Sequence, residues 1–318
     1  MPNTERRNTH IRVGGALLFF TLLLNLAQGI DAPAAPRAPQ SQAKFAAFVV
    51  SESNGETWVE PVAFFDGRGA FEEPVSAGAE EGAATAFFER YYRPGAKYRL
   101  VYGGAEAGSV TIREATRAEC APMAARAVLS TKTVRLGDSG MALATDAPRA
   151  LRARSSRRAP TAVERAAALR LAKSIFKSKR APAAAVNSRT TALGLVATDL
   201  DGDGREELVG SFLVRSGARA RDGLFLVAAQ RGGGYDALIQ NHARINAREM
   251  MDPSLIGEVG KGGFLSETYV EQFDADGDGV GELFTAASSF EGTTYKVYRR
   301  ERGAWRAVYE HYGYRCAF

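Results

Sequence analysis

From Lys44 onward the chain alternates short apolar runs with glycine-rich and acidic punctuation, the rhythm of a protein built mostly from strands. Phe45–Val50 and Thr57–Phe65 flank Asn54-Gly55, a dipeptide suited to a two-residue hairpin turn, and Ala70-Phe71 follows a second turn at Asp66-Gly67-Arg68-Gly69. The period changes over Ala79–Tyr92, where Ala83, Ala84, Phe87, Phe88 and Tyr91 fall on one helical face that Pro94-Gly95 ends. Lys97–Tyr102 and Ser109–Ile112 form a predicted hairpin across residues 103–108, followed by strands at Ala124–Val134 and Met141–Thr145. Thr161–Lys179 reads as a helix, with Thr161 as N-cap, Glu164 at the capping-box position, and Leu169, Leu171, Ile175 and Phe176 available to pack. Two similar series follow: strands at Leu208–Val214, Leu224–Ala229 and Tyr235–Ile239 around a turn at Gly232-Gly233-Gly234, then Leu283–Ser288, Thr294–Arg299 and Trp305–Tyr309 around Gly303. The expected fold class is α+β and β-rich. An N-terminal antiparallel α+β domain (44–146) leads through a basic linker (147–160) and a connecting helix into a C-terminal antiparallel β domain of two blade-like meanders (161–318).

The residues before Lys44 read differently. Arg6, Arg7 and Arg12 precede an apolar stretch at Val13–Ala27, and Ala27-Gln28-Gly29 offers small residues for cleavage, so 1–29 is expected to be a signal peptide and 30–43 a disordered Ala/Pro-rich linker. An uncleaved anchor is the alternative, and either would place the rest outside the cytoplasm, in the periplasm or beyond the cell. No later segment is long and apolar enough to span a bilayer. Two cysteines, Cys120 and Cys316, exclude a thiolate metal cluster; whether they pair is open.

At 318 residues, 45% hydrophobic and 24% charged, the chain has the composition of a folded protein with room for two domains. Its net charge of +5 is unevenly spread. Residues 149–180 hold eleven Lys and Arg against Glu164 alone, so the remainder of the chain is acidic. Such a run can attract polyanions, but it reads first as a solvated linker and helix face, and a nucleic-acid partner is not expected because no aromatic residue other than Phe176 interleaves it.

The chemistry lies beyond the helix. Asp199, Asp201, Asp203 and Glu207 occupy positions 1, 3, 5 and 9 of one loop, with Gly202 and Gly204 at 4 and 6; Asp274, Asp276, Asp278 and Glu282 repeat the pattern with Gly277 and Gly279. Ca²⁺ takes six to eight oxygens, and carboxylates on alternate residues of a curling loop can converge on one centre. Arg205 and Val280, at position 7, would each add a backbone carbonyl. Two Ca²⁺ sites are therefore expected. An EF-hand is excluded, since position 12 is Gly210 or Thr285 and the flanks are strand-like.

Loops of this pattern set between strands resemble the calcium loop of FG-GAP and VCBS-type repeats, whose units form blades of integrin-like β-propellers. The resemblance covers residues 190–318 and implies calcium binding and extracellular life. The chain departs from the family's Phe-Gly and Gly-Ala-Pro signatures, with Val209-Gly210-Ser211 in their place; residues 240–268 interrupt the repeat, and two units cannot close a propeller.

No catalytic constellation stands out. Gly137-Asp138-Ser139-Gly140 is similar to a serine-protease nucleophile segment, but no histidine lies between His10 and Ser139, and His242 and His311 lack a second ligand at metal spacing. The expected function is that of an exported, non-catalytic calcium-binding module whose partner is a protein, a glycan or an envelope component. The alternative is a secreted hydrolase using Glu60, Asp66, Glu72 or Glu73 in the N-terminal domain.

Overall fold

The computed structural model describes residues 43–75, 81–116, 123–136, 140–148, 151–152, 154–216, 220–245, 267–288 and 292–314. The expected leader, Cys120, Cys316 and Ser139 lie outside the described residues. Strands make up 56% of the structure and helices 15%.

The first sheet contains β1 (Phe45–Ser53), β2 (Glu56–Phe65), β3 (Phe71–Glu72), β4 (Lys97–Tyr102), β5 (Ala105–Thr116), β6 (Ala124–Ser130) and β7 (Met141–Thr145). Its order, β1-β7-β4-β5-β6-β2, closes through a β1–β2 pairing into a six-stranded antiparallel barrel with β3 on its rim. Closure leaves β1 and β2 no free edge. The register of β1 on β2 shifts between Ala47↔Ala63 and Phe48↔Pro61, and this bulge accommodates a proline that cannot donate to the ladder. Helix α1 (Glu81–Tyr91) sets Phe87 and Tyr91 against Phe48, Tyr98 and Leu100 of the barrel.

Helices α2 (Ala162–Ser178) and α3 (Ala183–Arg189) precede two sheets whose strands lie in chain order: β8 (Thr190–Thr198), β9 (Glu207–Arg215), β10 (Arg221–Arg231) and β11 (Gly234–Ile245), then β12 (Thr268–Phe273), β13 (Glu282–Ser288), β14 (Gly292–Glu301) and β15 (Ala304–Tyr314). The capping box at Thr161 forms as the sequence predicts, with Thr161 Oγ1 accepting from Glu164 N and Glu164 Oε2 accepting from Thr161 N.

Period-two alternation decides how these layers stack. On β10, Leu224 and Leu226 face α2 and α3, whereas Phe225 and Val227 face Leu283 and Tyr298 of the last sheet. On the other side of that sheet, Phe273, Phe284, Tyr295 and Val297 pack on Phe45, Ala47 and Val49 of the barrel. The order is therefore helix pair, sheet, sheet, barrel, and β1 is buried on both faces because Ala46, Phe48 and Val50 fill the barrel interior. A run of six apolar residues, Phe45–Val50, is what such a strand needs.

Several boundaries differ from the sequence expectation. The β4–β5 hairpin turns at Gly103-Gly104 rather than across 103–108, since both glycines adopt positive φ (62° and 73°) and Gly108 serves a bulge within β5. β6 stops at Ser130, where Thr131 Oγ1 accepts from the backbone N–H groups of Thr133 and Val134 and pulls the chain into a turn. α3 has no expected counterpart. β11 continues to Ile245, into the segment expected to interrupt the repeat, because Asp222 on β10 accepts from His242 Nε2 at 2.9 Å and from Arg244 Nε at 2.7 Å. Residues 246–266 of that segment lie outside the described residues, and Thr268 already belongs to β12.

The basic linker is also less solvated than its composition predicts. Arg158 exchanges backbone hydrogen bonds with Ala197 and pairs with Glu164 and Glu206. The Arg158 guanidinium holds the Glu164 carboxyl down at about 2. Arg157 lies between the rings of Tyr102 and Tyr269, 4.5 and 4.7 Å from their centroids, and donates to Glu271 Oε2 at 3.2 Å and to the carbonyls of Met141 and Val270. Glu271, fully buried, also accepts from Tyr269 OH, Gln272 N and Gly104 N. One ion pair thus joins the barrel, the linker and the last sheet. Arg157→Ala should destabilise the fold by about 3 to 5 kcal/mol by leaving Glu271 buried without its cation, read as a lower urea midpoint at an unchanged slope; a shift within experimental error would show that the pair contributes nothing.

Candidate metal centre

Each acidic loop is the first hairpin turn of its sheet, between β8 and β9 or between β12 and β13. The two fold identically, bond for bond. Asp199 Oδ1 accepts from Gly202 N at 2.7 Å and Oδ2 from Gly204 N at 3.2 Å; Asp274 does the same for Gly277 at 2.6 Å and Gly279 at 3.2 Å. Asp201 Oδ1 accepts from Asp203 N and Asp276 Oδ1 from Asp278 N, at 3.3 and 3.2 Å. The glycines at positions 4 and 6 all have φ between 76° and 95°, the left-handed region that a side chain would strain.

The ninth residue closes the loop. Glu207 Oε2 accepts from Leu200 N at 2.9 Å and Glu282 Oε2 from Ala275 N at 2.7 Å, so each glutamate returns beneath its own hairpin and is buried there. The carboxylate oxygens of Asp199, Asp201 and Glu207 come within 4.8 Å of one another, as do those of Asp274, Asp276 and Glu282. Asp203 and Asp278 stand outside these triads, exposed, each accepting from the backbone N–H of position 7, Arg205 or Val280, at 2.8 Å. Arg205 is exposed, and Val280 is half-buried.

Desolvation under the hairpin pushes the Glu207 carboxyl up to about 7, reinforced by the charges of Asp201, Asp203 and Asp199 and opposed by the Leu200 N–H. Burial likewise pushes Glu282 up to about 8, with Asp276 adding to the rise and Arg299 opposing it. An all-oxygen donor set, converging, partly buried and short of positive charge, fits a hard divalent cation. Both clusters can hold a metal ion.

Two arginines, unnoticed in the sequence, adjoin the clusters. Neighbours on β14 point to opposite faces of their sheet, and the pair exploits this. Arg299 Nε lies 2.8 Å from Glu282 Oε1 and 3.2 Å from Asp276 Oδ2, while its Nη1 donates to Gly69 O of the barrel turn. Arg300 Nη1 reaches across to Asp201 Oδ2 at 2.5 Å. The loops also touch directly, with Gly281 N donating to Leu200 O at 2.9 Å. Gln272 Nε2 and Arg152 Nη1 both donate to Asp199 O. The only sequence signal for this was Arg299-Arg300 at a strand end, which carries no motif.

The remaining candidates do not assemble. Glu60 Oε2 accepts from Tyr295 OH, and Asp66 Oδ1 accepts from Arg68 N and Ala70 N within its own turn. A cleft of about 410 Å³ beside α1 has Glu72 as its one carboxylate among the described residues. His242 lies on β11 and His311 on β15; burial lowers the His311 pKa, and Glu73 stands 3.9 Å away. Comparison with family models, with curated proteins and with solved structures finds no match to this chain.

In metal-free protein the raised pKa of Glu207 means that the native state keeps a proton that the unfolded chain releases near 4.5, so this group's contribution to stability falls as pH rises through about 7. Glu207→Gln should therefore melt close to the parent at pH 5 and above it at pH 8 when a chelator is present. A variant less stable than the parent at pH 8 under those conditions would contradict the assigned shift.

Proposed function

We propose that each loop binds one Ca²⁺ and that the chain is an exported, non-catalytic binding module of the FG-GAP/VCBS type, divided at 44–146 and 161–318, whose calcium stiffens a surface for a protein, glycan or envelope partner. The observation that carries this reading is the repetition: two loops 75 residues apart in sequence share spacing, hydrogen bonds and a buried glutamate. A solvated acidic turn has no need of a carboxylate folded underneath it.

Asp199, Asp201 and Glu207 would hold one ion and Asp274, Asp276 and Glu282 the other, with Asp203, Asp278 and the carbonyls of Arg205 and Val280 completing the oxygen set. Calcium would supply the positive charge that relieves carboxylate repulsion. Arg299 already rests on two carboxylates of the second cluster whereas Arg300 touches one of the first, so the first loop is the better vacant anion and should fill first. The sheet-on-sheet packing of two four-stranded meanders supports the blade comparison, with α2, α3 and the barrel covering the faces where further blades would stack.

An ion that binds only the folded state raises stability by RT ln(1 + [L]/Kd). Thermal unfolding should shift upward with free calcium, by about 2.7 kcal/mol for one site at a hundredfold excess over Kd, and Asp201→Ala or Asp276→Ala should each remove part of the gain. Melting curves that ignore calcium in the parent protein would sink this reading.

A further inference from the structure

The structure sorts the basic run of residues 149–180 into two groups. Arg152, Arg157 and Arg158 turn inward and are held by Asp199 O, Glu271, Glu164 and Glu206. Of the others, Arg165, Arg170, Lys173 and Lys177 lie on α2, and Lys179 and Arg180 follow its end. On α2 the residues packed on the sheet are Ala168, Ala172, Ile175 and Phe176. At 100° per residue, Arg170 and Lys177 project from the opposite side, with Lys173 beside them, and Arg170 and Lys177 are exposed. Lys179 and Arg180 are exposed just after α2, and Arg189 is exposed at the C-terminal end of α3. The one acid on these helices, Glu164, is already committed to Arg158. Lys173 Nζ donates to Asn187 O at 2.9 Å, which leaves Arg170, Lys177, Lys179, Arg180 and Arg189 as exposed cations, with no free carboxylate on either helix, in a chain whose remaining residues are net acidic.

We infer that this helical face binds a linear acidic polysaccharide, one bearing a carboxylate on each sugar. The inference goes beyond the ion loops and does not depend on them. Charge complementarity selects an anion, and three features select its class. The apolar side of α2 is consumed by the sheet, and Val163 is the one large apolar side chain left exposed on the helix, too little to insert into a bilayer as an amphipathic membrane helix would. Phe176 is the only aromatic residue on α2 and α3 and is fully buried, so no ring is available for base stacking. Arg170, Lys173 and Lys177 advance along the axis by three and four residues, about 4.5 and 6 Å at a rise of 1.5 Å each, a sparser ladder than the one phosphate per about 1.7 Å of duplex DNA. Ala166 and Ser174 between them keep the stripe open to a chain lying along it.

The test is retention of the whole chain on immobilised polygalacturonate across a salt gradient, in chelator so that ion bridging plays no part. The parent protein should be retained at low salt and released as salt rises. Arg170→Glu/Lys177→Glu should bind about tenfold more weakly with a flatter salt dependence. Arg113→Glu/Arg306→Glu, which makes the same change in net charge at exposed positions on β5 and β15, should behave like the parent. Circular dichroism melts of both variants establish that they fold. No retention of the parent, an equal loss in the control pair, or tighter binding to duplex DNA or to anionic phospholipid vesicles than to polygalacturonate would each overturn the proposal.

Discussion

Carboxylates brought together in a partly dry place repel one another, and this fold brings six of them into two triads. Glu207 and Glu282 are the tightest points of that constraint. Each lies buried beneath a hairpin whose rim carries three aspartates, and each completes its loop by accepting a backbone N–H from the second position. Without the glutamate the hairpin loses its floor; with it, the loop holds more negative charge than its surroundings neutralise. Protons, Arg299, Arg300 and a divalent ion are the available counterweights, and of these only a divalent ion could meet all three oxygens of a triad at once. The loops touch through a hydrogen bond from Gly281 N to Leu200 O.

Around this centre the remainder is a stack. Two meanders pack face to face, a helix pair covers one outer face and a closed barrel covers the other. Strands in the middle of the stack have no solvent side, which is why β1 and β10 read as unbroken apolar runs. The segment carrying Arg157 threads the junction. Its guanidinium lies between two tyrosine rings against a buried carboxylate, so one cation touches the barrel, the linker and the last sheet together.

Much of this was legible in the residues. Asn54-Gly55 set its hairpin, Thr161 and Glu164 their capping box, and the spacing of acids and glycines both loops, because each of these depends on contacts a few residues apart. What could not be read depends on contacts far apart in the chain. Nothing in Arg157 distinguishes it from its solvated neighbour Arg154, since Glu271 is brought to it only by the stacking of sheets. Arg299 and Arg300 likewise meet their acids only after β14 has joined its sheet. The barrel closure rests on β1 meeting both β2 and β7, and a strand pattern does not name its partners. Asp203 and Asp278 each accept the backbone N–H of position 7, as Asp201 and Asp276 accept that of position 5, a local turn that alternate acids and glycines favour.

The account turns on whether the two triads hold ions. A crystal structure of the protein grown in millimolar calcium decides it most directly. The expected result is one strong density peak in each loop, surrounded by oxygens at about 2.3 to 2.6 Å that include Asp199, Asp201 and Glu207 in the first and Asp274, Asp276 and Glu282 in the second. Loops with the carboxylates turned to solvent, or held by Arg299 and Arg300 alone with no ion between them, would contradict it.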